Sequence, residues 1–308
     1  MTEHTPVMLA EALEAIAPRD GARYVDGTFG GGGYARAILD AANCSVVGID
    51  RDPEAVERGR KLAASYCGRL VLEQGKFSQL ESLLGRAGIS DTDGVVFDLG
   101  VSSYQFDMAH RGFSFREDGP LDMRMGKSGH SAADVVNTAD EETLTSILRR
   151  FGEERQARRI ARAIIAARPL TRTGELAEVV ARALGPGAAR FAIHPATRTF
   201  QALRIFVNDE LGELETGLAA AERVLRSGGR LVVVAFHSLE DRIVKRFLAE
   251  RSKPASRSRH TPEPRNATKQ TFRLIWSRAR MPTADEIARN PRARSARMRA
   301  AERTALAA

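Results

Sequence analysis

Asp26-Gly27-Thr28-Phe29-Gly30-Gly31-Gly32-Gly33-Tyr34 follows the short apolar run Tyr24-Val25 and opens onto a helical pattern at Ala35, Ile38 and Leu39. The order is strand, glycine-rich turn, helix. Glycines admit positive φ angles and let a ligand approach bare backbone N–H groups, while the helix N-terminus behind them favours electron-rich groups. A nucleotide-like ligand is therefore expected at this turn. The next apolar run, Ser45-Val46-Val47-Gly48-Ile49, ends in Asp50, and an acidic side chain at that place grips a ribose diol in doubly wound folds. Gly30, Gly32 and Ala35 also satisfy the G-x-G-x-x-G/A dinucleotide fingerprint, with Asp50 near the expected offset of about 20 residues. On glycines alone, NAD and S-adenosylmethionine both stay open.

The alternation continues. Asp52 caps an expected helix from Pro53 to about Ala64, a strand falls around Leu70-Val71-Leu72, and Gly75-Lys76-Phe77 leads into another helix ending near Leu84. A fourth run, Gly94-Val95-Val96-Phe97, ends in Asp98. Such a series argues for a parallel sheet with its ligand site outside the carboxyl ends of the strands, where Asp26, Asp50, Phe77 and Asp98 fall. From about Asp107 to Arg198 only helical patterns and loops are found. The α/β pattern then restarts with a long helix from Thr199 to Leu225, a strand from Arg230 to Phe236 and a helix from Leu239 to about Ala249. The expected architecture is an α/β sheet domain, 1–106 and 199–308, interrupted by a helical insertion, 107–198. After a Pro/Ser/Arg-rich linker from Lys253, a strand-like Thr271–Trp276 follows, and Arg294–Arg299 is expected to supply the last strand of the sheet.

The chain has 308 residues, 43% of them hydrophobic, enough for one large domain with an insertion and a buried core. Its 47 basic and 39 acidic residues leave a formal charge of +8, and a polyanionic partner such as nucleic acid is the economical expectation. Cys44 and Cys67 lack C-x-x-C spacing, which indicates neither a disulfide framework nor a zinc site. No metal site is expected. The first residues lack a basic-then-apolar signal pattern, and Leu231–Phe236, the longest apolar run, is far too short to span a bilayer. A cytoplasmic protein without membrane association is expected.

Within the insertion, Arg155, Arg158, Arg159 and Arg162 share one face of a helix expected from Glu153 to Ala167, with Ala157, Ile160, Ala161 and Ile164 on the opposite face. Four arginines with no acid among them make a candidate phosphate-binding surface. Farther on, Thr197, Gln201, Arg204 and Asn208 form a polar row beside the apolar Phe200, Leu203, Val207 and Leu211, a row suited to lining a cleft. Arg204 joins the candidate RNA contacts. After the late strand, Ser238 with Asp241 fits a shortened capping box, and His237 stands at the strand end.

Several segments, read in order, resemble the bacterial RsmH (MraW) family of ribosomal RNA small-subunit methyltransferases. They include His4–Leu9, Asp26–Gly30, Asp50–Pro53, Asp98–Ser103, Arg111–Phe115, Gly119–Met125, Gly152–Arg155, His194–Gln201, Phe236–Arg242 and Asn290–Ser295. The resemblance covers nearly the whole chain and implies a Rossmann-like class I methyltransferase sheet. The implied reaction moves a methyl group from S-adenosylmethionine to the N4 amine of a decoding-region cytosine. The implied partner is small-subunit ribosomal RNA in an assembled or nearly assembled subunit. Position by position, Gly31, Gly32, Gly33 and Tyr34 would surround the methionine part of the cofactor. Asp50 would take the ribose hydroxyls, Phe77 would flank the adenine, and Asp98 and Gln105 would complete the pocket. The family more often has histidine at Tyr34, and Tyr104 and Phe106 depart from its usual Pro and Leu.

Cytosine's amine is a poor nucleophile because its lone pair is delocalised into the ring, so the enzyme must position and polarise it. Asp98 is the expected acceptor for the amine N–H, with His237 and Ser238 as further candidates to contact the target base. Asp98-Leu99-Gly100-Val101 lacks the prolines and aromatic of the D/S-P-P-Y/W motif of DNA amino-methyltransferases, so the base is expected to be held differently. Two other readings stand beside this one: a non-enzymatic RNA-binding assembly factor, and an NAD-dependent oxidoreductase using the glycine fingerprint.

Overall fold

A computed structural model describes residues 6–185, 194–252 and 270–305. The linker expected from Lys253, and His4-Thr5 of the first motif, lie outside the described residues. Helix α1 (Leu9–Ile16) precedes strand β1 (Arg23–Asp26), and then α2 (Gly33–Ala41), β2 (Ser45–Asp50), α3 (Pro53–Ala64), β3 (Leu70–Gln74), α4 (Leu80–Arg86) and β4 (Thr92–Asp98) alternate as the hydrophobic pattern dictates. Asp52 caps α3 by accepting from Glu54 N–H at 3.0 Å, with Pro53 pre-set at the first helical position.

The chain divides into two compact units, one of Met1–Gly100 with Leu211–Ala308, the other Val101–Glu210. The second unit contains α5 (Ser103–Asp107), α6 (Ala132–Thr138), α7 (Glu141–Gly152), α8 (Ala157–Ala166), α9 (Thr173–Leu184) and α10 (Thr197–Asn208). The chain then runs through α11 (Glu210–Val224), β5 (Leu225–Ala235), α12 (Ser238–Ser252), β6 (Phe272–Leu274), α13 (Ala284–Arg289) and β7 (Arg297–Arg303).

The first unit's sheet has the order β3-β2-β1-β4-β5-β7-β6. Its first five strands are parallel, and β7 runs antiparallel to both β5 and β6. Both faces are covered, which is why these strands read as continuous apolar runs. Val25, Val95, Phe97, Leu231, Val233 and Ala235 face one cluster with residues of α4, α11 and α12, while Tyr24, Val46, Val96, Val232 and Val234 face another with α1 and α2. The tail's second half supplies a strand as expected, but it is an interior strand, and the edge belongs to β6.

Three expected elements differ. The helix predicted from Thr199 to Leu225 is two helices, broken at Asp209, whose φ of 48° lies in the left-handed region that Asp tolerates better than most residues. β5 begins at Leu225, ahead of the predicted Arg230, and carries Gly228 at φ 79° where its register against β4 shifts. The helix predicted from Glu153 starts at Ala157, because Glu153 with φ 48° closes α7 instead. Arg155 therefore sits in a turn. The packing stripe itself is as read: Ala157, Ile160, Ala161 and Ile164 are all buried.

Beneath the glycine turn lies the buried ring of Phe29. A Cβ built on Gly32, Gly48 or Gly59 would fall 2.6, 2.5 or 2.4 Å from that ring. Gly→Ala in a helix interior ordinarily stabilises by about 1 kcal/mol. At Gly59 in α3 the new methyl would overpack, typically costing about 1–3 kcal/mol. We expect Gly59→Ala to lower the denaturation midpoint, with part of the loss recovered when Phe29→Leu is added. A raised midpoint for the single variant would show the hollow to be slack.

Candidate functional site

The carboxyl ends of β1, β2 and β4 bring three carboxylates to one edge of the first unit's sheet. Asp26 is buried. Its oxygens accept from Thr28 N–H at 3.3 Å and Ala35 N–H at 3.2 Å, tying the strand end to the first turn of α2. Gly30 and Gly32 adopt φ of 54° and 75° as the turn wraps over Phe29. Asp50 holds that turn from the neighbouring strand, accepting from Gly30 N–H at 2.7 Å and from Asp52 N–H at 2.8 Å. Asp98 joins through its backbone, whose N–H donates to Thr28 Oγ1 at 2.6 Å. Asp98 Oδ1 is buried without a hydrogen-bond partner among the described residues.

Burial raises the proton affinity of all three. Asp50 is pushed up to about 6 and Asp26 to about 7, in both cases by desolvation first, with backbone N–H donors working against it. Asp98 rises well above the ordinary carboxylate range through desolvation, then repulsion from Asp26 and Glu240. Carboxylates crowded in this way favour a ligand that brings positive charge or hydroxyl donors.

Tyr34 does not present an open ring. It is buried in the core between α1, α2 and the sheet, and its hydroxyl donates to the Val7 carbonyl, so it anchors the N-terminal segment. What remains for a ligand is the backbone of Gly31, Gly32 and Gly33. Phe77 is half-buried, with its ring centroid 5.0 Å from that of Phe97 and tilted by 41°. Gly217 in α11 admits it, since a Cβ there would fall 2.3 Å from Phe77 Cδ2. Gln105 belongs to the second unit, where it and Ser102 form the capping box of α5.

At the start of α12 the cap differs from the expected one. Asp241 pairs with Arg299 on β7, Oδ1 to Nε at 2.7 Å and Oδ2 to Nη2 at 3.2 Å, and so is not available to cap with Ser238. Glu240 takes that part, its Oε2 accepting from Phe236 N–H at 2.8 Å and His237 N–H at 3.3 Å. Ser238 is the exposed first residue of the helix. The sequence reading did not single out Thr28, Gly217 or Glu240. Two signals were there: a lone glycine inside a helical pattern, and a Glu three residues after a strand-end His.

In the second unit the arginine face is not purely basic. Arg158 Nε and Arg162 Nε both reach Glu141 Oε1 from α7, at 2.8 and 3.0 Å, and these ion pairs hold Glu141 below the ordinary range. Three of the four residues of the polar row on α10 bond inside the unit. Gln201 donates to the Phe151 carbonyl at 3.1 Å, and Arg204 forms a bidentate pair with Glu210, both contacts at 2.8 Å. Asn208 accepts from Met125 N–H at 2.8 Å and donates to the Met123 carbonyl at 2.7 Å. Arg204 thus has a structural task within the unit. Among the described residues, no helix is long and apolar enough to cross a membrane.

Residues 1–304 match the MraW methylase family. The chain belongs to that family. A protein from Rhodospirillum centenum is 59% identical over 305 residues, covering 98% of this chain and 92% of its own length. One from Parvibaculum lavamentivorans is 58% identical over 306 residues, covering 98% and 90%. Both are named ribosomal RNA small subunit methyltransferase H. Among solved structures, a putative rRNA-methylase from Clostridium thermocellum aligns over 99% of each chain at 11% identity and a TM-score of 0.45. For a member of the MraW methylase family the oxidoreductase reading falls away.

The raised carboxyl of Asp50 gives a test of its part in cofactor binding a definite sign. With its carboxyl pushed up to about 6, acidification from pH 8 through 6 converts it from a two-oxygen acceptor into the neutral acid. We expect S-adenosylmethionine, measured by calorimetry, to bind more weakly at pH 5 than at pH 8. Asp50→Ala should weaken it at least roughly tenfold at pH 8, since hydrogen bonds to charged groups are worth about 1.5–3 kcal/mol. Asp50→Asn keeps one oxygen for the backbone N–H groups and should flatten the pH dependence. Unchanged affinity in both variants would remove Asp50 from the site.

Proposed function

We propose that this protein transfers a methyl group from S-adenosylmethionine to the N4 amine of a cytosine in the decoding region of small-subunit ribosomal RNA, with the assembled or nearly assembled subunit as substrate. The observation that carries the reading is the edge formed by buried Asp26 and half-buried Asp50 and Asp98, three carboxylates beside a glycine turn, with no partner for Asp98 Oδ1 among the described residues. The residues present fit the cofactor. Each Asp50 oxygen already takes one backbone N–H and retains acceptor capacity for a diol. The turn's backbone comes close because Gly32 and Gly33 have no Cβ, which would meet Phe29 at 2.6 Å and Pro6 at 2.2 Å. Phe77 lies at the next strand end for the adenine.

Bound there, S-adenosylmethionine supplies an activated methyl group for direct transfer to nitrogen. Asp98 acts on the other reactant. Its unpartnered Oδ1 accepts from the N4 amine, which draws the lone pair out of conjugation and receives the proton that the nitrogen sheds. Desolvation, then repulsion from Asp26 and Glu240, raises its affinity for that proton. His237 and Ser238, at the next strand end, are the further contacts to the base in this reading. Asp98→Asn keeps the shape and loses the base. We expect kcat for tritiated methyl transfer to fall by about two orders of magnitude or more, within the range for general base loss. Cofactor affinity should change by much less. A variant with full turnover would reject the acceptor role.

RNA is met by the second unit through Arg155, Arg158, Arg159 and Arg162. Two of the four are partly neutralised by Glu141, so phosphate competes with that carboxylate. The double variant Arg158→Glu and Arg159→Glu should weaken subunit binding and reduce the slope of log affinity against log salt by about 2, roughly one per lost phosphate contact. The side chains are exposed, so the melting temperature should move little. A salt slope equal to that of the parent would assign the face to solvent.

A further inference from the structure

Two buried polar atoms without a hydrogen-bond partner lie at neighbouring strand ends of the first unit: Asp98 Oδ1, closing β4, and His237 Nε2, just beyond β5. The strands are adjacent and parallel. Asp98 pairs with Val234, and Leu99 N–H donates to the Val234 carbonyl at 3.0 Å. Buried polar groups are costly to leave unsatisfied, so a neighbouring pair of them points to something that completes both.

What each atom offers can be stated. His237 Nδ1 accepts from the backbone N–H of Glu240 at 3.4 Å, and an acceptor on Nδ1 leaves the ring proton on Nε2. In return Glu240 Oε2 accepts from Phe236 and His237 N–H, a reciprocal cap with His at the first position and Glu three residues on. Glu240 Oε1 approaches Nε2 to 3.2 Å but outside hydrogen-bonding geometry, and the two side chains are 9% and 3% exposed. His237 therefore offers a donor held rigidly by Glu240. Asp98 offers an acceptor.

An aminopyrimidine carries the matching pair. Cytosine sets the N4 amine, a donor, beside N3, an acceptor, whereas uracil sets an acceptor O4 beside a donor N3–H. We propose that His237 Nε2–H donates to N3 of the target cytosine while Asp98 Oδ1 accepts from N4, with Glu240 as the positioning residue that fixes the imidazole. This inference rests on the cytosine-N4 reading above and adds what selects the base. Uracil would set donor against donor and acceptor against acceptor, leaving both buried groups unpaired. The bond to N3 also turns the amine toward Asp98, so reading the base and aligning it are one event.

The test uses the full-length protein with RNA or subunits carrying cytidine or 3-deazacytidine at the target position, the analogue having C–H in place of N3. The readout is the ratio of kcat/KM for the two substrates, so the analogue's intrinsic reactivity cancels between enzymes. His237→Asn retains a side-chain oxygen suited to capping α12 and loses the ring donor. The ratio should be about tenfold larger in the parent than in His237→Asn, the worth of one hydrogen bond. Glu240→Ala should bring it down to the His237→Asn value, and Glu240→Gln, which keeps an oxygen for the two N–H groups, should restore it. Melting curves confirm that each variant is folded; should Glu240→Ala not fold, the other two still decide. Equal ratios in the parent and His237→Asn would overturn the assignment of His237 alone. A parent enzyme that methylates neither substrate would instead overturn the cytosine-N4 reading, and this inference with it.

Discussion

The ring of Phe29 fills a hollow that three elements leave for it by having no side chain. Gly32 at the head of α2, Gly48 in β2 and Gly59 in α3 each come so close that a methyl would overlap the ring. With that ring in place the turn lies flat across the end of β2, Gly30 N–H meets Asp50, and Phe29 N–H meets the Ile49 carbonyl at 2.9 Å. The ligand edge is therefore a consequence of packing beneath it. Native interiors are packed closely enough that a one-methylene change is felt, and here it would be felt at the carboxylates.

Over this hollow, electrostatics and burial pull in opposite directions. Desolvation disfavours the charged forms of Asp26, Asp50 and Asp98, and backbone N–H groups offset it in part at Asp26 and Asp50, with the charge of Arg58 helping at Asp50. A fold that tolerates these shifts gives up stability near neutral pH. For a carboxyl whose folded-state value is raised, the folded state holds more protons than the unfolded state, so its contribution to stability falls as pH rises from the ordinary carboxylate value through about 6 for Asp50 and about 7 for Asp26. Sites with such perturbed groups are where function concentrates.

Most of the sheet was legible because a fully covered parallel strand writes its apolar run without interruption, and the runs of β1, β2 and β4 each end in an aspartate. The strand ends Asp26, Asp50 and Asp98 were readable from that alone. Side-chain destinations were not. Tyr34 by the family resemblance, and Arg204 and Asn208 by spacing, look like ligand-facing residues, yet Tyr34 and Asn208 satisfy backbone groups far away in sequence and Arg204 pairs with a carboxylate beyond the break at Asp209, and periodicity holds no information about such partners. The break at Asp209 was hidden for a related reason: the apolar stripe carries on through it, and only a single residue's left-handed backbone ends the helix. Glu141 escaped notice as the partner of the arginine face because it lies 17 and 21 residues before Arg158 and Arg162.

The placement of β7 has a consequence for the order in which the protein can be assembled. This strand, Arg297–Arg303, fits between β5 and β6 and bonds to both, so β5 keeps a bare edge until residue 303 has been synthesised. A nascent chain can finish the five parallel strands and still expose a row of unpaired backbone groups beside the apolar Leu231–Ala235. Strand edges of that kind template aggregation. The growing polypeptide thus spends the interval between making β5 and making β7 in its most vulnerable form, and closure of the sheet waits on translation itself.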